Sequence, residues 1–224
     1  MDRPRYDPRS MADLSPLLDA NRRWAERKER DDPGFFSRLK DGQKPSVLWI
    51  GCADSRVPAN EIIDLPPGEV FVHRNVANLV VHSDLNALSV IEYAVHALGI
   101  RDIVVCGHYG CGGIAASMQP QQSRIVDHWI RHVRDLSKLH REELEAIPQW
   151  DARFRRMCEL NVAAQAINVT MSPVVQSARA AGREVIVHGW IYDVADGILR
   201  DLSPLMDAEL VLTREPAPVK PTGH

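Results

Sequence analysis

No stretch of this 224-residue chain approaches the ~20 consecutive apolar residues of a membrane-spanning helix. The N-terminus, MDRPRYDPRS, lacks the apolar segment of a secretory signal. A cytoplasmic protein with no membrane partner is the expectation. Charge of one sign is equally scarce. The 27 basic side chains against 30 acidic ones leave a net charge of -3, which gives no overall pull towards nucleic acid. No CxxC pair occurs among Cys52, Cys106, Cys111 and Cys158, which argues against a thioredoxin-like redox motif. In a reducing compartment such cysteines serve as metal ligands, catalytic thiols or apolar filling more often than as disulfides. No internal repeat or low-complexity block divides the chain. A hydrophobic content of 45% fits one α/β domain, residues 1–224, with a sizeable core.

Strands and helices alternate in what is there. Residues 46–50 (SVLWI), 69–75 (EVFVHRN), 101–107 (RDIVVCG) and 183–190 (REVIVHGW) read as strands, and 208–214 (AELVLTR) as a fifth. Residues 84–99 carry apolar positions at helical spacing, with Ser83 or Asp84 to cap the start and Gly99 to end it. Helices are also predicted over 124–146, 151–170 and 173–181, and an amphipathic one over 12–30. Residues 1–11 and 215–224 read as loose tails. The pattern predicts a mostly parallel central sheet of about four strands with an antiparallel edge strand. Helices cover both faces, and an N-terminal helical arm precedes them.

Ligand sites in such sheets lie beyond the carboxyl ends of the strands. Cys52 closes the first strand region, and His108 and Cys111 follow the third within the glycine-rich GHYGCGG. If those strands are neighbours, the three side chains converge. Two thiolates and an imidazole suit zinc, and three protein ligands leave a fourth position open for catalysis. Asp54, two residues past Cys52, either takes that fourth position or stands just outside it paired with Arg56. A structural zinc would ordinarily show a fourth Cys or His. A thiol-nucleophile loop of the rhodanese or phosphatase kind needs backbone N–H groups, one of which Pro58 removes. Cys106 and Cys158 read as buried filling.

CADSR at 52–56, HRNVAN at 73–78 and GHYGCGG at 107–113 together resemble the β-class carbonic anhydrases in order and spacing, over about residues 12–213. The resemblance implies one zinc per subunit on Cys52, His108 and Cys111, and reversible hydration of carbon dioxide to bicarbonate and a proton by zinc-bound hydroxide. Asp54 and Arg56 match the family's catalytic pair. It further implies a homodimer held by the 12–30 arm, often paired into a dimer of dimers. In one branch of the family Asp54 closes onto the zinc at lower pH. Bicarbonate then inhibits from a pocket of Trp, Arg and Tyr, matched here by Trp49, Arg74 and Tyr192. Val57, Val76 and Leu79 are candidate walls for carbon dioxide. His73, His82 and His96 are candidate proton carriers, none of them selected by the sequence. Two rival readings remain: a carbon disulfide or carbonyl sulfide hydrolase on the same site, and a non-catalytic, zinc-stabilised bicarbonate sensor.

Overall fold

The computed structural model describes residues 13–122 and 124–207, which group into two units dividing between Gln43 and Lys44. The first unit holds α1 (Ser15–Asp31) and α2 (Phe35–Lys40). Pro16 opens α1 with its φ already helical. No residue of α1 is buried, and Leu14, Leu17, Leu18 and Trp24 stand exposed.

The second unit is built on a sheet of order β2-β1-β3-β4-β5. Here β1 (Val47–Cys52), β2 (Val70–Asn75), β3 (Asp102–His108) and β4 (Ile186–Asp193) are parallel, and β5 (Ile198–Asp201) pairs antiparallel with β4. Alternate residues of the central strands feed two apolar layers, as a sheet buried on both faces requires. Leu48, Ile50, Ile103 and Val105 pack with residues of α4 (Leu85–Glu92), α9 (Trp150–Thr170) and α10 (Pro173–Ala180). Trp49, Val104 and Cys106 face the other way, against Ala59 and Ile62 of α3 (Ala59–Ile62) and against Trp190, Tyr192 and Leu199. A third cluster lies past the strand ends. It joins Cys52 and Cys111 to Ile114 of α5 (Gly112–Ser117), Ile130, Val133 of α7 (Arg131–Leu139), Leu144 of α8 (Arg141–Glu145) and Leu160 of α9. No helix among the described residues is long and apolar enough to cross a membrane.

The mostly parallel sheet with an antiparallel edge is as expected, with several differences in detail. The helix predicted over 124–146 is three: α6 (Ile125–Trp129), α7 and α8. Ile130 ends α6 with ψ near 4° and buries fully, while Trp129 Nε1 donates to Val76 O at 2.8 Å. Tertiary contacts therefore divide a segment that is helical throughout by propensity. Asp84 does cap α4, its side chain accepting from Asn86 N, but residues 93–97 then widen into a π-helical turn before Gly99 (φ +68). The fourth strand runs to Asp193, three residues further than predicted. The antiparallel edge is 198–201, and residues 208–214 lie outside the described residues.

Candidate metal centre

Parallel pairing sets Gly51 of β1 beside Cys106 of β3, so the strands end together with Cys52 and His108 at their tips. Gly107 makes the approach possible, since a Cβ there would stand 2.4 Å from Val162 Cγ2 of α9. Gly110, at φ +73, turns the chain back so that Cys111 opens α5. The result is a buried cluster of Cys52, His108 and Cys111 whose ligand atoms all lie within 4.8 Å of one another. The two sulfurs are 3.9 Å apart. Two Zn–S bonds of about 2.3 Å at a tetrahedral angle put sulfurs about 3.8 Å apart. His108 Nδ1 bonds to Tyr109 O at 3.0 Å, which leaves Nε2 buried, without a partner, beside the thiols. These donors fit zinc in number, type and spacing.

The electrostatics call for a cation. The contact with Cys111 lowers the Cys52 pKa against the effect of burial, with the His108 ring acting in the same direction. Cys111 moves the opposite way, because it shares a proton with Cys52, is buried and faces any charge on that sulfur. Two thiolates side by side in a buried site repel each other, and a divalent cation would offset that repulsion. Asp54 lies beside this cluster, its Oδ2 3.8 Å from His108 Nε2. Both its oxygens are engaged by Arg56, Oδ1 by Nε at 2.9 Å and Oδ2 by Nη2 at 2.7 Å, with the Arg56 N–H also on Oδ1. That fork holds the carboxyl well below the usual carboxylate range. Arg56 Nη2 also reaches Gly110 O at 3.3 Å, tying the Cys52 loop to the Cys111 loop.

The other expected site residues fall in different places. Arg74 sits beside Gly51 in the β1–β2 register and donates to Cys52 O (2.8 Å) and Asp54 O (2.5 Å). Trp49 is fully buried, and its Nε1 has no partner. That nitrogen occupies the space over Gly51, 2.4 Å from where a Cβ would be. Tyr192 packs into the same layer as Trp49. Val57 and Leu79 are buried and Val76 is exposed; Leu79 shares a cluster with Cys52 and Cys111. His73 is buried, which lowers its pKa, while His82 and His96 are exposed. Cys106 and Cys158 are buried free thiols, as expected, and burial pushes Cys158 up to about 12.

Residues without a motif hold the ligand loops. Tyr109 donates its hydroxyl to Glu159 at 2.6 Å, with the Arg155 guanidinium 3.5 Å above its ring. Both partners come from α9, some fifty residues away, so no local spacing could announce them.

A parallel sheet that gathers two thiols and an imidazole at its carboxyl end, beside a carboxylate forked by arginine, defines the donor set of a zinc enzyme. Residues 47–199 match the family model described as "Carbonic anhydrase". A carbonic anhydrase of Emericella nidulans is 48% identical over 84% of this chain and 82% of its own length. Among solved structures, the Coccomyxa β-carbonic anhydrase in complex with acetazolamide superposes with a TM-score of 0.82 at 43% identity, covering 86% of this chain and 87% of that one. A tetrameric β-carbonic anhydrase of Sordaria macrospora gives 0.79 at 40% identity, covering 83% and 94%. This chain belongs to the β-class carbonic anhydrases, whose metal is zinc.

Proposed function

We propose that the chain carries out reversible hydration of carbon dioxide at the Cys52/His108/Cys111 centre, with Asp54 and Arg56 orienting the attacking water. The observation that carries this is the buried, unpartnered His108 Nε2 between two thiols, with an ionised carboxylate 3.8 Å away. When bound, zinc supplies Lewis acidity that brings the deprotonation of water close to neutral pH. Asp54 Oδ2 then accepts a hydrogen bond from the water O–H, and Arg56 keeps the carboxylate ionised and aimed. Stopped-flow hydration on zinc-loaded protein from pH 6 to 9 tests the reading. Activity confined to carbon disulfide or carbonyl sulfide would replace the substrate. Zinc binding with no turnover of either would favour a sensor.

The finer proposals rest on separate observations. Bicarbonate as an inhibitor is supported by the orphaned Trp49 Nε1 next to Gly51, with Arg74 at the neighbouring strand position and Tyr192 in the same layer. In such an inhibited state Asp54 would part from Arg56 and serve as a fourth ligand for the metal, so the pairing described above would belong to the active arrangement. A dimer joined by α1, pairing into a dimer of dimers, is supported by the exposed Leu17, Leu18 and Trp24 and by the tetrameric state of the Sordaria relative. A reducing, cytoplasmic setting suits four buried free thiols.

A further inference from the structure

We propose that Asn161 of α9 is a positioning residue for the metal centre, acting through the left-handed turn at Ala77–Asn78. The inference rests on the zinc reading above. Ala77 (φ 65) and Asn78 (φ 48) are consecutive left-handed residues, both buried. Asparagine tolerates that conformation, but alanine adopts it only where its surroundings compel it.

The turn has something to do. It packs against the end of β1, and Ala77 shares one buried cluster with Cys52 and Cys111. Its other side lies against the Cys111 loop, where a Cβ on Gly113 would meet Val76 Cγ1 at 2.9 Å and Ala77 Cβ at 3.1 Å. The turn is therefore wedged between the loops that carry both thiols. A shift at Ala77 disturbs the packing of both ligand loops.

Asn161 is what grips it. Its Nδ2 donates to Ala77 O at 3.0 Å, with both groups buried. Asn161 is itself fixed, since Gln165 Nε2 donates to its Oδ1 at 3.2 Å. One turn along α9, the same ladder continues to the chain after the αL pair: Val80 N donates to Gln165 Oε1 at 2.8 Å, and Asn168 Nδ2 donates to Val80 O at 2.9 Å. Asn161, Gln165 and Asn168 lie at i, i+4 and i+7, one stripe of the helix. Only the first of them holds a residue of the buried cluster that contains the two cysteine ligands; Val80 belongs to the core beneath the sheet. The last holds the same segment three residues further on, and so provides an internal control.

The test compares Asn161→Ala with Asn168→Ala by chelator competition for zinc and by the thiolate-to-cobalt charge-transfer bands of the cobalt-substituted protein. Asn161→Ala is expected to weaken zinc binding about tenfold, the scale of groups that orient ligands, and to move the bands. Asn168→Ala is expected to lower the melting temperature while leaving zinc affinity within about twofold and the bands in place. Asn161→Ser, which keeps a small polar group too short to reach Ala77 O, is expected to follow Asn161→Ala and serves if that variant does not fold. Asn161 variants that bind zinc as tightly as wild type, with unmoved bands, would overturn the proposal. Wild-type protein that shows no thiolate-to-cobalt bands would instead overturn the metal-site reading itself.

Discussion

Two buried nitrogens near the ends of β1 and β3, His108 Nε2 and Trp49 Nε1, have no hydrogen-bond partner, and their surroundings differ in kind. Around His108 the chain brings ligands inward. Two sulfurs converge, Nδ1 is pinned to a carbonyl, and an arginine-held carboxylate waits alongside. Around Trp49 the chain instead leaves something out. Gly51 has no side chain, and the indole N–H points over its bare Cα. The first site is over-determined by what it contains and the second depends on one missing methyl group. A buried polar atom without a partner costs about 1–3 kcal/mol; zinc would answer it at His108 and the proposed bicarbonate at Trp49, but the metal centre should be far harder to abolish by small changes.

The largest effect should come from removing a ligand. His108→Ala or Cys52→Ser is expected to lose zinc and hydration activity together, read by metal content and stopped flow, whereas Trp49→Phe should keep a full zinc complement. Zinc loss from Trp49→Phe would show that the two sites are one. Next comes the fork. Asp54→Asn should keep zinc and lower the hydration rate by about 10²–10⁴, the scale for a positioned proton acceptor. The pH dependence has a fixed sign. A carboxyl whose folded pKa is depressed adds stability above its unfolded value of about 3.9, and that contribution is lost as pH falls below it. The melting-temperature gap between wild type and Asp54→Asn should therefore be full at pH 7, narrow below about pH 4, and shrink in salt because Arg56 is 52% exposed. A gap that widens towards acid would mean that Arg56 is not the partner in solution.

The contrast between the two sites also explains what could be read in advance. CADSR and GHYGC put cysteine, histidine and aspartate at the ends of two apolar runs, and such residue types announce a metal wherever the strands pair. Adjacent pairing of β1 and β3 supplied the rest. The supports are different in nature: Arg74 and Tyr109 stand inside the motifs, but what they hold, the Cys52 and Asp54 carbonyls and the Arg155 and Glu159 side chains, lies elsewhere in the chain, and Asn161, which grips Ala77, stands outside every motif. The edge strand β5 was within reach. Asp196–Gly197 is a hairpin dipeptide, Gly197 takes φ +76, and its N–H closes the turn on Asp193 O at 2.8 Å. The breaks at Ile130 and at the π-helical turn have no such local mark, because packing imposes them.

Gly51→Ala addresses the second site most directly. The new Cβ would fall on the indole nitrogen, so Trp49 must move or β1 must bend, at a cost of about 1–3 kcal/mol for an overpacked core. A loss of melting temperature with zinc retained and bicarbonate inhibition abolished is the expected result. Inhibition surviving intact would place bicarbonate elsewhere.

Trp49→Phe is the gentlest change and the sharpest. It removes the unpartnered N–H, which by itself relieves about 1–3 kcal/mol. It also leaves a smaller ring among Val104, Trp190 and Tyr192, which costs a similar amount through the lost contacts. The two nearly cancel, so the melting temperature should hardly move. Zinc content and the uninhibited hydration rate should match wild type, because Trp49 points to the face of β1 opposite Cys52. What should change is the bicarbonate concentration needed to inhibit, since the ring that replaces the indole has no donor to offer. Equal inhibition in the two proteins would leave Trp49 Nε1 as an uncompensated cost of the core and remove bicarbonate from that pocket. A clear rise in stability with lost inhibition would show that the fold tolerates an unpaired donor there for the sake of a ligand.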